Sequence, residues 1–150
     1  MAKVLVPLAE GCEELEAVTV IDLLRRAGIE VISAVLKPGP VRASRGTVLV
    51  PDMSLDQAMD EDFDMVVLPG GLPGADHLNA DRRVHDLLRR MDEGERYIAA
   101  ICAAPKVLAD AGLLKGRRAT SFPGALDGER LAGVSYKETA VVQDGRIVTS

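Results

Sequence analysis

Cysteine is scarce in this chain: Cys12 and Cys102 are the only two. Two thiols build neither a disulfide framework nor a four-cysteine metal site, so a reducing compartment, the cytoplasm, fits best. Imidazole is equally scarce, with only His77 and His85. Neither stands at a metal-ligand spacing, and no metal or cofactor site is expected. Long basic runs are also missing. The pairs Arg25-Arg26, Arg82-Arg83, Arg89-Arg90 and Arg117-Arg118 are scattered, and the formal net charge is -5. Phosphate neutralisation needs clustered Lys and Arg, which excludes nucleic acid as an expected partner. No apolar stretch approaches the roughly 18 residues of a membrane span. Met1 to Val6 enters a strand almost at once, without the apolar region and cleavage site of a signal peptide. No repeat, linker or low-complexity tract interrupts the sequence. The 150 residues, 47% apolar and 27% charged, therefore read as a single domain, 1–150, with a real core.

What is present is an alternation of apolar runs and helical segments. Val4 to Leu8 reads as a first strand. Glu13 to Ala27 follows as a helix, with Ala17, Val20, Ile21 and Leu24 at helical spacing and acidic residues in the first turn. Gly28 ends it, and Glu30 to Leu36 is a second strand. Val41 to Val50 suggests two short strands, and Ser54 to Met59 one or two helical turns. Met65 to Leu68 is a further buried strand ending at Pro69-Gly70-Gly71. Asp81 to Met91 carries an apolar stripe at Val84, Leu87, Leu88 and Met91. Tyr97 to Ile101 reads as a strand and Pro105 to Ala111 as a helix. Ala119 to Phe122 reads as a short strand. Asp144-Gly145 marks a hairpin between Thr139–Gln143 and Arg146–Thr149. Strands that are continuously apolar, alternating with helices, predict a mostly parallel sheet covered on both faces.

In such sheets the working site lies beyond the carboxyl ends of the strands. Three features share that edge: Ala9 to Glu16, Pro69 to Gly74, and Cys102. Cys102 stands on a sharp strand-to-helix turn of the nucleophile-elbow kind, before a helix N-terminus, where a thiolate is favoured and the pKa is expected to fall. A free cysteine also commonly just fills space. Glu16 lies on the shoulder of its helix stripe, either aimed at Cys102 or simply one more acid in an acidic first turn. Gly70 and Gly71, with the N–H of Ala103, suit an oxyanion site and equally suit a tight turn. His77 follows the glycine loop and either reaches the site or sits in solvent; His85 reads as surface.

Together, the Glu13-Glu14-Leu15-Glu16 helix start, Val67-Leu68-Pro69-Gly70-Gly71, Ala99-Ala100-Ile101-Cys102-Ala103-Ala104-Pro105 and Ala111-Gly112-Leu113-Leu114-Lys115-Gly116 resemble the ThiJ/PfpI superfamily, its ThiJ/YajL-like branch. The resemblance runs essentially end to end. It implies a flavodoxin-like α/β sandwich, usually a homodimer. It assigns Cys102 as an oxidation-prone nucleophile, Glu16 as its carboxyl partner, and Gly70 and Gly71 as backbone donors near the sulfur. The implied chemistry is cofactor-independent and acts on reactive dicarbonyls or early glycation adducts, as a glutathione-independent glyoxalase or a deglycase. The alternative is an oxidative-stress sensor or chaperone that oxidises Cys102 without turnover. The peptidase-like branch carries His directly after the cysteine, where this chain has Ala103. Some members place a His where Phe122 stands. Both departures argue against a peptidase. Relatives typically continue through one more helix, so the chain is expected to lack a closing helix and to leave an apolar patch beside Ile147 to Thr149.

Overall fold

A computed structural model describes residues 1–150. The elements in chain order are β1 (Lys3–Leu8), α1 (Glu14–Arg26), β2 (Glu30–Val35), β3 (Val41–Arg42), β4 (Val48–Leu49), β5 (Met53–Ser54), α2 (Leu55–Ala58), β6 (Met65–Leu68), α3 (Gly74–Ala80), α4 (Arg82–Glu93), β7 (Tyr97–Ala100), α5 (Pro105–Asp110), β8 (Arg118–Ala119), a 3-10 helix (Gly128–Leu131), β9 (Ser135–Tyr136), β10 (Val142–Asp144) and β11 (Ile147–Thr149).

Seven strands form the main sheet in the order β10-β11-β7-β6-β1-β2-β5. All its pairings are parallel except β10 with β11. The chain runs from β1 outward to β2 and β5, then returns to β6 on the other side of β1. Loops leaving β1 and β6 therefore diverge, which opens the crevice where such sheets carry their sites. Leu5 pairs with Val66, and Val66 with Ile98, so the loops after β1, β6 and β7 leave the sheet at one level.

Strand side chains alternate between two buried faces. Leu5, Val66, Ile98 and Ala100 enter the larger core with Leu55, Leu78, Val84, Leu87, Leu88, Met91 and Leu108 from the helices. Val4, Val6, Val67 and Ala99 enter a smaller core beneath α1 and the β3–β4 hairpin. Burial on both faces is why these strands are apolar throughout. The α4 stripe is wholly buried, whereas α1 buries only Ala17 fully, with Val20, Ile21 and Leu24 partly covered.

Three local expectations change. First, α3 carries no apolar periodicity; it starts at Gly74 after Pro73 with no side-chain cap, so only its packing through Ala75 and Leu78 marks it as a helix. Second, the expected strand at Ala119 to Phe122 stops at Ala119, paired with β9 in a separate two-stranded sheet. The N–H groups beyond it are taken elsewhere: Thr120 donates to Thr149 Oγ1 and Phe122 to the Cys102 carbonyl. Third, Asp144 pairs with Ile147, so the hairpin turn is Gly145-Arg146, with the positive φ at Gly145.

Candidate active site

The chain turns sharply after β7. Cys102 adopts φ 63°, in the left-handed region that side-chain-bearing residues avoid. The turn is held from three sides. The Cys102 N–H donates to the Ser150 carbonyl (2.7 Å), Ala104 N–H donates to Ile101 (3.0 Å), and the Cys102 carbonyl accepts from Phe122 N–H (2.8 Å). Pro105 then opens α5. This is the elbow expected from the sequence, with the sulfur lifted above the sheet edge and half-buried.

Glu16 projects from the first turn of α1 to the same place. Its Oε1 accepts from the N–H of Gly70 (2.9 Å), and its carboxyl faces the Cys102 thiol. Gly70 admits this approach because it has no side chain. A Cβ there would lie 2.7 Å from Cys102 Cβ and 2.7 Å from Glu16 Oε1. Gly71, at φ 87°, has Glu13 N only 2.4 Å from its own Cβ direction, so it too must be glycine. The N–H groups of Gly71 and Ala103 point at the sulfur. The Gly70 N–H does not: it is committed to Glu16. Gly70 is thus corrected from a donor at the sulfur to the group that anchors the carboxyl.

The electrostatics also correct an expectation. Burial raises the Cys102 thiol pKa, the Glu16 charge and hydrogen bond raise it further, and the Gly71 and Ala103 N–H groups only partly offset this. The Glu16 carboxyl is raised as well, again mainly by burial, against donation from Gly70 and Cys102. Helix α5 supplies little field: it has six residues, and Cys102 lies before its N-cap. Both groups are thus shifted toward their protonated forms, and the carboxyl faces the thiol closely enough to exchange a proton with it. Cys12 is different. It is fully buried, and burial pushes its thiol up to about 11.

No sequence pattern pointed to the scaffold around Glu16. The carboxylate of Glu14 accepts from Arg45 N–H (3.0 Å), Thr47 N–H (3.1 Å) and Ser44 Oγ (3.2 Å), pinning the β3–β4 turn onto the start of α1. Desolvation works to raise this carboxyl, but the N–H donors outweigh it and hold it at about 2. Glu13 caps α1 by accepting from Leu15 N–H and also accepts from Ser44. These partners are far apart in sequence, which is why no local pattern announced them.

Both imidazoles are engaged elsewhere. His77 Nδ1 bonds the Glu10 carbonyl (3.0 Å), and His85, half-buried rather than on the surface, bonds Asn79. No group of three or more His, Cys, Asp or Glu side chains is placed to hold a metal ion. A cavity of about 490 Å³ opens behind Glu10, His77 and Lys37. Cys102 does not line it, and Arg83 there is bound to Asp81, Asp56 and the Leu36 carbonyl.

A doubly wound sheet with a cysteine elbow, a facing carboxyl and two N–H groups on the sulfur defines the class: a cysteine-centred α/β protein of flavodoxin-like fold. The family model described as DJ-1/PfpI matches residues 2–150, and the chain belongs to that family. It is 45% identical to protein dj-1beta of Drosophila melanogaster over 97% of its own length and 79% of that protein's. A Pyrococcus abyssi protein named a deglycase is 32% identical, matched over 99% of this chain and 89% of its own length. The chain spans 34% of the length of Arabidopsis thaliana DJ-1 homolog B, at 41% identity. Among solved structures, Drosophila melanogaster DJ-1beta superimposes with TM-score 0.94 at 44% identity, covering 99% of this chain and 81% of that one. Oxidized Toxoplasma gondii DJ-1 gives TM-score 0.94 at 38% identity, covering 100% and 82%.

Proposed function

We propose that this protein is a cysteine-dependent enzyme acting on reactive dicarbonyls or early glycation adducts, of glyoxalase or deglycase type. The observation that carries this reading is the Cys102–Glu16 pair, a thiol and a carboxyl facing each other beside the N–H groups of Gly71 and Ala103. Relatives named deglycases support it.

The chemistry follows from that pair. Glu16 takes the thiol proton, and the thiolate attacks the aldehyde carbon of an α-oxoaldehyde. A C–S bond forms and the carbonyl π pair moves to oxygen, beside the two N–H groups. Glu16 protonates that oxygen, giving a hemithioacetal. As a carboxylate again, it removes the proton from the former aldehyde carbon and returns it to the adjacent carbon through an enediol. The product is a 2-hydroxyacyl thioester. Water cleaves it to the 2-hydroxy acid and restores the thiol. An early glycation adduct enters the same sequence when its amine leaves, protonated by Glu16, as the C–S bond forms.

Turnover of methylglyoxal by the wild type, Cys102→Ala and Glu16→Gln tests the reading. Cys102→Ala is expected to be inactive. Glu16→Gln keeps a hydrogen-bonding side chain but cannot carry the proton, so kcat is expected to fall on the order of 10²-fold or more. Full activity in Cys102→Ala, or no turnover by the wild type, would end the proposal.

A second reading is an oxidative-stress sensor. The half-exposed sulfur with its N–H donors favours it, as does a relative solved in an oxidized form. Here peroxide adds oxygen to Cys102, and Gly71, Ala103 and protonated Glu16 hold the sulfinate. Peroxide-dependent oxidation of Cys102 in a protein without dicarbonyl turnover would favour this second reading.

A further inference from the structure

The rim of the Cys102 site has a composition that the chemistry above leaves unused. Phe122 is 61% exposed and Leu72 is 58% exposed, and they come from different loops. Each loop is tied to Cys102 by its backbone. Phe122 N–H donates to the Cys102 carbonyl at 2.8 Å, and the residue before Leu72 is Gly71, whose N–H points at the sulfur. Each exposed apolar residue is followed by a proline, Pro73 or Pro123, also exposed. The segment bearing Phe122 is held in place. Thr120 N–H donates to Thr149 Oγ1, Ser121 Oγ to the Phe122 carbonyl, and Tyr136 OH to the Ser121 carbonyl.

Single exposed apolar residues are ordinary on protein surfaces. Here, however, the apolar character is collective. Residues 70–73, 101–105 and 119–125 contain no ionisable side chain other than Cys102. Lys106, the next cation along the chain, is tied to Asp76. Glu16 is the ionisable side chain that faces Cys102 there. A flat, apolar group finds an aromatic ring and an aliphatic side chain on two loops whose backbones contact Cys102.

The geometry points to Phe122 and Leu72 as specificity-determining residues that favour electrophiles with an aryl or apolar substituent, such as arylglyoxals, over smaller ones. This rests on the dicarbonyl reading above for its substrate class. The bond made and broken is the one already described; the rim acts only by binding the substituent.

Two measurements separate the rim from the chemistry. The first is kcat/KM for phenylglyoxal relative to methylglyoxal in wild type, Phe122→Ala and Phe122→Leu. The ratio is expected to fall roughly five- to tenfold in Phe122→Ala, the scale of one lost aromatic contact, and less in Phe122→Leu. An unchanged ratio in a protein that does turn over methylglyoxal overturns the rim and leaves the dicarbonyl reading standing. The second is the alkylation rate of Cys102 by N-phenylmaleimide relative to iodoacetamide, read by mass spectrometry, which needs no turnover. A fall in that ratio in Phe122→Ala supports the rim even if no dicarbonyl is consumed, and in that case the dicarbonyl reading alone fails. An unchanged ratio there overturns the rim.

Discussion

At the scale of single residues, the site depends on what Gly70 leaves out. Its missing side chain is the space in which Glu16 and Cys102 meet, with the Ile101 carbonyl also only 2.8 Å from where a Cβ would lie. Gly70→Ala must push one of these groups aside. The expected cost is about 1–3 kcal/mol of stability, seen as a lower Tm, together with loss of Cys102-dependent turnover. Gly28→Ala is the control. Gly28 has φ +80° and nothing within 4 Å, so alanine there strains the backbone by about 1 kcal/mol but leaves turnover per folded molecule unchanged. If Gly70→Ala kept full turnover, the close approach of Glu16 to Cys102 would not matter to the chemistry. The same scale explains why the two thiols differ. Cys12 is sealed in the smaller core with a pKa of about 11, whereas Cys102 is half-exposed beside a carboxyl that can take its proton.

At the scale of elements, the Glu14 carboxylate is a main tie between the β3–β4 hairpin and α1. Glu14 has a reference pKa of 4.5 and a folded value of about 2. A depressed folded pKa means the stabilisation is fully present above the unfolded value and is lost as pH falls through the folded one. The contact is therefore expected to hold above about pH 4.5 and to loosen between there and about pH 2. Amide exchange at Arg45 and Thr47, whose N–H groups Glu14 accepts, reports it. Glu14→Gln should raise exchange at both amides at neutral pH and flatten its acid dependence. Unchanged protection in Glu14→Gln would mean the hairpin is held by its other bonds, such as Ser44 N–H to the Cys12 carbonyl.

At the scale of the whole molecule, the smaller core is thinly covered, and its outer surface carries several exposed apolar side chains among charged ones. Leu15 and Val18 lie one turn apart on α1, Val48 and Val50 lie on one side of the β4 region, and Val50 is 82% exposed. Val18 and Val50 line the same depression between helix and hairpin. If the homodimer that the family resemblance implies forms, this face is where it is expected to form. Val50→Glu would bury a charge against the partner and is expected to weaken association roughly 10²-fold or more, read by sedimentation velocity. A monomeric wild type, or a variant that sediments like it, would refute the arrangement. No helix is long and apolar enough to cross a membrane.

The order of strands and helices was legible in the sequence because burial on both faces writes itself as unbroken apolar runs. The α4 stripe was legible because helical burial repeats every three to four residues. The elbow at Cys102 was legible from a strand running into a proline-led helix, and the family resemblance rested on motifs of the same kind. Helix α3 was not legible, since its seven residues bury Gly74, Ala75 and Leu78 without a repeating stripe. The truncated strand after Ala119 was not legible either, because its N–H groups are claimed by Thr149 and Cys102, 29 and 20 residues away in the chain. The roles within the site were decided by tertiary structure alone. Sequence placed a thiol and a carboxyl on one sheet edge, but their pKa values depend on burial and on each other. Which N–H reaches the sulfur and which reaches Glu16 depends on a glycine loop arriving from β6, 54 residues from its carboxyl partner. Hydrogen bonds and burial between distant segments leave no period in the chain, so only the folded arrangement assigns them.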